Sequence, residues 1–228
     1  IRTLSRGSIR ISSSVSGSLS LLPKTVSAFH ALHPNLKVSV QYDHSPRVSE
    51  WVATRQVDLG LVARPEQRSG VEHIKNYSLN CVCAIPCDHP FTDLDVVSAD
   101  DLAKTSVVAM EREYMSRSEW GAELLDIIDF EKCIEIQYGY SACAHVAEGL
   151  GVAIVDPFHA SFFAQLGLIR IRPLSLTIPT HIILARPKGS LPSVVCETFV
   201  NLLKAEIESA VVDLGQEILQ YQPPDWNN

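Results

Sequence analysis

No apolar run in the 228 residues approaches the length of about 18 that spans a bilayer. A charged-then-apolar leader is also missing, so nothing in the sequence directs secretion. Basic residues are in deficit: 19 Lys and Arg face 26 Asp and Glu, a formal net charge of −7. Neutralising nucleic-acid phosphates takes clustered Lys and Arg, so this balance argues against a DNA-binding surface in the segment, though not against a basic patch on one face. Neither a phosphate-cradling glycine loop nor a zinc-protease motif occurs.

A second zinc-ligand pair is missing as well. Cys81, Cys83, Cys87 and His89 lie close together, but Cys81 and Cys83 are two apart in the apolar run Cys81-Val-Cys-Ala-Ile85. A strand points both to the same face and carries them into the core, whereas zinc ligands sit in tight turns. The cysteines read as buried, reduced thiols, which fit a cytoplasmic protein. No metal and no cofactor is expected. The chain opens at Ile1-Arg-Thr-Leu-Ser-Arg6 without Met, and a preceding N-terminal segment is expected.

Hydrophobic residues make up 46%, enough to bury a core. Ile9 and Ile11 alternate with polar neighbours, a strand, and lead into the hydroxyl-rich Ser12–Ser18. Leu22, Val26, Phe29 and Leu32 recur at helical spacing, predicting a helix from about Ser18 to His33 that Pro34 stops. A strand over Leu36 to Tyr42 follows. Ser45-Pro46 then reads as a cap and first helical position. Asp58 to Ala63 is a buried strand. This β-α-β-α-β order predicts a parallel sheet wrapped by helices.

Further strands are predicted near Val71–Leu79, Cys81–Ile85, Ser106–Met110 and Cys133–Ile136, with a capping-type helix start at Ser98-Ala-Asp-Asp101. Trp120, Leu124 and Ile128 share one helical face. Tyr140 to Pro157 is the most informative stretch. It predicts a helix that Ser141 opens as a cap and Gly149 closes, feeding a strand over Val152 to Val155 that is covered on both faces. A helix over Pro157 to Gln165, strands at Leu168–Ile171 and His181–Ala185, and a long helix carrying Val195, Phe199, Leu202, Leu203 and Ile207 complete the pattern. The tail Gln220–Asn228 has no periodicity. Two βαβ patterns predict two lobes. In open α/β sheets ligands bind beyond the carboxyl ends of the strands, and the loops there are polar, so a small-molecule cleft between lobes is expected.

Laid together, Gly7-Ser-Ile-Arg-Ile11, Leu22-Pro23 with Phe29 and His33-Pro34-Asn-Leu36, Val57-Asp-Leu-Gly-Leu61, Ile85-Pro-Cys-Asp-His89-Pro90 and Val146-Ala-Glu-Gly-Leu-Gly-Val-Ala-Ile154 resemble the effector-binding domain of LysR-type transcriptional regulators. The resemblance covers about residues 7 to 205. Asp156-Pro157-Phe158 and Tyr140-Ser-Ala-Cys143 are similar to a subgroup that senses amino acids and opines, the regulators of lysine biosynthesis and of octopine and nopaline catabolism. That subgroup has Asn-Pro where this chain has Asp156-Pro157.

The resemblance implies two Rossmann-like lobes joined by two crossover strands, like type II periplasmic solute-binding proteins. Lobe I would be 7–79 plus 186–228 and lobe II 80–185. It implies a small amino-acid-like effector, a homodimer of this domain, a homotetramer of the full-length protein, and DNA contact only through an N-terminal winged helix-turn-helix that this chain lacks.

Ser14 and Ser16 stand where the family contacts its effector after the first strand, and Ser141 holds the matching place in lobe II. A hydroxyl beside helix-start N–H groups holds a carboxylate. Alternatively these serines are caps and turn formers. Asp156 either pairs with an ammonium or guanidinium group or caps the helix at Pro157. Arg64 and Arg112 follow strands and suit a bidentate grip on a carboxylate, or are solvated surface arginines. His44, Ser45 and Tyr138 complete the expected lining. His145, Asp58 and Trp51 read as structural. The competing functions are a transport-type solute-binding protein for amino acids or opines and an enzyme. Cys143 and His145 are two apart on a helix, about 200° around its axis, so they form no nucleophile–base pair.

Overall fold

The computed structural model describes residues 7–14, 17–64, 68–112, 115, 121–191 and 193–214. The chain folds as two compact units, the first from residues 1–77 and 181–213, the second from 78–180 and 214–228.

In the first unit, β1 (Ser8–Ser13), β2 (Lys37–Tyr42) and β3 (Leu59–Val62) lie parallel with β1 in the middle. The helices α1 (Leu21–Leu32) and α2 (Ser45–Ala53) are the crossovers that parallel strands require. β10 (Pro179–Pro187) adds antiparallel to β3, pairing Ile183 with Val62 and Ala185 with Gly60, and β4 (Val71–Asn80) closes the order β2-β1-β3-β10-β4. The sheet is therefore mixed, where the β-α-β-α-β order alone predicts a parallel one. Because Ile183–Ala185 pair with β3, they belong to the first unit, and the chain re-enters that unit earlier than the expected residue 186.

Burial explains these elements. Ile9 and Ile11 on β1 and every residue of β3 are buried. The long helix α7 (Val194–Asp213) lays Phe199 edge-on against Phe29 of α1, ring centroids 5.3 Å apart. Such aromatic pairs add about 1 kcal/mol beyond area burial. Two expected helix starts differ in the structure. α1 begins at Leu21, not Ser18, because Gly17–Ser20 form turns whose Gly17 carbonyl accepts from Leu21 and Leu22 N–H, at 3.1 and 3.0 Å. α2 has His44, not Ser45, as its cap residue.

In the second unit, β5 (Val82–Pro86) is flanked antiparallel by β8 (Ala153–Val155) and β9 (Ile169–Arg172). β6 (Val108–Met110) and β7 (Ile134–Ile136) pair in parallel, and a parallel bridge from Val107 to Val152 joins them to the β8 side. The helices are α3 (Ala99–Leu102), α4 (Gly121–Ile127), α5 (Gly139–Ala147) and α6 (Pro157–Gln165). Ser98 and Asp101 form the expected capping box on α3. Leu124 and Ile128 are buried, while Trp120 lies outside the described residues, as does the 220–228 tail.

One apolar cluster gathers Cys81, Cys83, Ile85, Leu124, Val152 and Ile154; a second, Val82, Ala142, Cys143, Val146, Ala153 and Ile169. Cys81, just before β5, and Cys83, on it, thus enter the same cluster, as their spacing predicts. Cys87 departs from the buried-thiol expectation. It is exposed past the end of β5, its sulfur on the Gly167 carbonyl at 3.4 Å.

Candidate functional site

The C-terminal ends of β1, β2 and β3 lie along one edge of the first unit, and the chain leaves each strand through a residue singled out above. Ser14 N–H donates to the Leu61 carbonyl at 2.7 Å, its own carbonyl accepts from the Ser13 hydroxyl at 2.5 Å, and Asp43 N–H donates to Ser13 O at 3.2 Å. Ser14 is thereby fixed between the ends of β2 and β3, and is buried. The Ser45 hydroxyl accepts from Ala63 N–H at 2.9 Å, tying the start of α2 to the end of β3. That bond gives Ser45 a structural duty in place of the capping role. His44 is exposed, with its N–H on the Asp43 carboxylate at 2.7 Å, and Arg64 is half-buried just past β3. Ser16 lies outside the described residues. The first two N–H groups of α1 bond to the Gly17 carbonyl and are not open donors.

The second unit repeats the arrangement. β6, β7 and β8 run parallel, and past their C-terminal ends stand Arg112, Tyr138 and Asp156. Arg112 N–H donates to the Glu135 carboxylate at 3.0 Å, and its guanidinium lies 5.6 Å from the centroid of the Phe130 ring. Tyr138 is the cap residue of α5 and Gly139 its first residue, two positions before the expected Ser141. Ser141 therefore sits in the first turn and is not the cap, and no side chain caps α5. Its hydroxyl-bearing residue and the helix's leading N–H groups still share that turn. Gly149 ends the segment with φ 79°, the left-handed turn its position predicts.

The partners of Asp156 bear out its capping reading. One carboxylate oxygen accepts from Phe158 N–H at 3.0 Å and His159 N–H at 3.1 Å, capping α6, and the other contacts Nδ1 of His159. Burial pushes the carboxyl up, but the charge and hydrogen bonds of His159 and the bond from Phe158 N–H outweigh it and hold it below the usual carboxylate range. The α6 start is thus occupied by the protein's own anion.

Two residues to which the sequence reading gave no role of their own join this edge. Tyr140 stacks on Tyr138 with centroids 5.6 Å apart and planes 16° off parallel, and its ring tilts over His159 at 6.1 Å. The i, i+3 spacing of Asp156 and His159 at a helix start was the available signal for the second. His145 turns back on its own helix, Nδ1 to the Ser141 carbonyl at 2.8 Å. Cys143 is fully buried; burial, and then the Asp156 charge, push its thiol far above the ordinary range, so it is no thiolate nucleophile. Asp58 has the expected structural role, accepting from Arg10 N–H at 2.8 Å and from its guanidinium at 2.9 Å. Among the described residues no three His, Cys, Asp or Glu side chains cluster to hold a metal, and no helix is long and apolar enough to cross a membrane.

The family model described as the LysR substrate binding domain matches residues 2–208. This chain belongs to that family. The LysR substrate-binding domain described here is 28% identical over 220 residues to the transcriptional activator protein LysR of Escherichia coli, covering 94% of this chain and 69% of that protein. It is 27% identical over 196 residues to the octopine catabolism/uptake operon regulatory protein OccR of Rhizobium meliloti, covering 86% and 64%. The domain spans about two thirds of the length of these relatives.

Its fold is similar to the regulatory domain of reduced OxyR from Pseudomonas aeruginosa, with TM-score 0.69 and 18% identity over 87% of this chain and 98% of that one. It also matches the BenM effector binding domain with benzoate, with TM-score 0.66 and 19% identity over 97% and 98%. The LysR substrate-binding fold, the type II periplasmic-binding-protein class, is therefore the fold of this chain. The matched relatives are regulators and not enzymes.

Proposed function

We propose that this domain is the ligand-sensing half of a LysR-type transcriptional regulator and that its effector is amino-acid-like, an opine such as octopine or nopaline or a basic amino acid. The observation that carries the reading is the contrast between two neighbouring helix starts in the second unit. α6 is filled by Asp156, whereas α5 has no side-chain cap and carries Tyr138 and Ser141 at its start; Arg112, past the end of β6, is proposed to serve the same place. A carboxylate suits that place. Ser14, Ser16, His44, Ser45 and Arg64 are the proposed effector contacts of the first unit, and Asp156 of the second, beside the α6 cap it forms, is a further one. The name of the OccR relative, an octopine catabolism/uptake operon regulatory protein, supports the opine class.

The effector acts by binding two conformations of the domain unequally, and the difference reaches DNA through a winged helix-turn-helix outside this chain. The domain pairs as a homodimer, the whole regulator as a tetramer working in the cytoplasm as an activator. Buried, unpaired Cys81, Cys83, Cys143 and Cys196 fit that compartment. Calorimetric titration with octopine, nopaline, arginine, lysine and diaminopimelate tests the reading: one compound binds. Binding of none of them removes the amino-acid class.

A further inference from the structure

The starts of α5 and α6 meet at one buried ring. His159, in the first turn of α6, is 4% exposed. On one side its Nδ1 contacts the Asp156 carboxylate, which also accepts the N–H groups of Phe158 and His159. On the other side it lies against the backbone of Gly139, the first residue of α5. A Cβ built on Gly139 would stand 2.7 Å from the same Nδ1 and 3.4 Å from Cε1. The Tyr140 ring tilts over the imidazole, 6.1 Å between centroids, and stacks in turn on Tyr138. The ring is anchored by a carboxylate that cannot move without uncapping α6, and the first turn of α5 rests on it with no room for a side chain in between.

We propose that His159 is the positioning residue of the effector site: fixed by Asp156, it sets where Gly139, Tyr140 and the first turn of α5 stand, and so aligns the N–H groups and the Ser141 hydroxyl that meet the ligand. The inference rests on the functional reading above for its ligand, but not for its geometry. His159 touches no effector; it acts through α5. A short, rigid second layer of this kind is what holds a binding group within a fraction of an ångström of its working place. The arrangement also accounts for glycine at position 139, since any side chain there would displace either the ring or the helix.

The test compares His159→Phe, which keeps ring volume but loses the contact with Asp156, with His159→Asn, which keeps a donor for the carboxylate. Gly139→Ala disturbs the same contact from the other side if His159→Phe fails to fold. Backbone amide spectra without ligand are read first. In His159→Phe or Gly139→Ala the amides of Gly139, Tyr140 and Ser141 move, while those of β9 keep their places. Affinity for the compound that the wild type binds falls about tenfold in either variant and by less in His159→Asn.

Unmoved α5 amides overturn the proposal whatever the ligand. Moved amides with unchanged affinity overturn it as well, because α5 would then not be aligned for binding. A wild type that binds no member of the titrated panel contradicts the functional reading instead, and the amide comparison still decides the geometric claim.

Discussion

Gly60 of β3 and Val52 of α2 meet so closely that a Cβ on Gly60 would lie 2.5 Å from Cγ2 of Val52 and 3.2 Å from Cγ1 of Val48. The helix sits directly on the strand, and that approach sets the height of the α2 start, where His44 and Ser45 stand. Val52 and Val48 are fully buried, so neither has open space to retreat into. Gly60→Ala is expected to lower stability by roughly 1–3 kcal/mol, as overpacking does, read from urea unfolding. A stability equal to the wild type's would mean that α2 rides higher on the sheet.

Asp156 carries a pH dependence whose sign follows from its lowered carboxyl. A carboxylate held below its unfolded value of about 3.9 contributes stability that is fully present above that value and is lost as pH falls through the folded one. The stability gap between the wild type and Asp156→Asn should therefore shrink as pH falls below about 4. Asp156→Ala, which also removes the α6 cap, is expected to cost about 2 kcal/mol at neutral pH. A gap that widens as pH falls below about 4 would reverse the assignment of the pair.

The role proposed for the hydroxyls of Ser14 and Ser141 is in binding and not in folding. Ser14→Ala and Ser141→Ala are each expected to weaken effector binding roughly three- to tenfold, the worth of one hydrogen bond, with melting temperatures close to the wild type's. Unchanged affinity in both variants places the ligand elsewhere.

Arg112 combines a backbone bond to Glu135 with a guanidinium near the Phe130 ring. Arg112→Lys keeps the charge but not the planar fork, and is expected to lose most of the affinity that Arg112→Ala loses. Equal binding by the lysine variant and the wild type would reduce Arg112 to a diffuse charge.

Most of the fold was legible because hydrophobic period and punctuation agree. Ile9 and Ile11 mark β1, Phe29 marks the buried face of α1, and Gly149 and Gly167 stand past the ends of their helices with positive φ. Helix starts were read less well, for a common physical reason. Hydroxyl residues near a helix start look like caps, yet Ser45 spends its oxygen on Ala63 and Ser141 falls inside the first turn. Strand direction was hidden for another reason: β10 is placed beside β3 by contacts far along the chain, which no local period records. Ser14, Arg112, Tyr138 and Asp156 do stand past the C-terminal ends of strands, a placement that depends on topology alone. The buried contact of the His159 ring with Gly139, and the tilt of Tyr140 over it, have no such signal in the sequence.

Calorimetric titration of the wild-type domain with octopine, nopaline, arginine, lysine and diaminopimelate, run beside the Ser14→Ala/Ser141→Ala double variant, tests the central claim most directly. The account predicts saturable one-to-one binding of one compound by the wild type and a large loss of that heat in the double variant. Silence across the whole panel, or equal binding by both proteins, would contradict it.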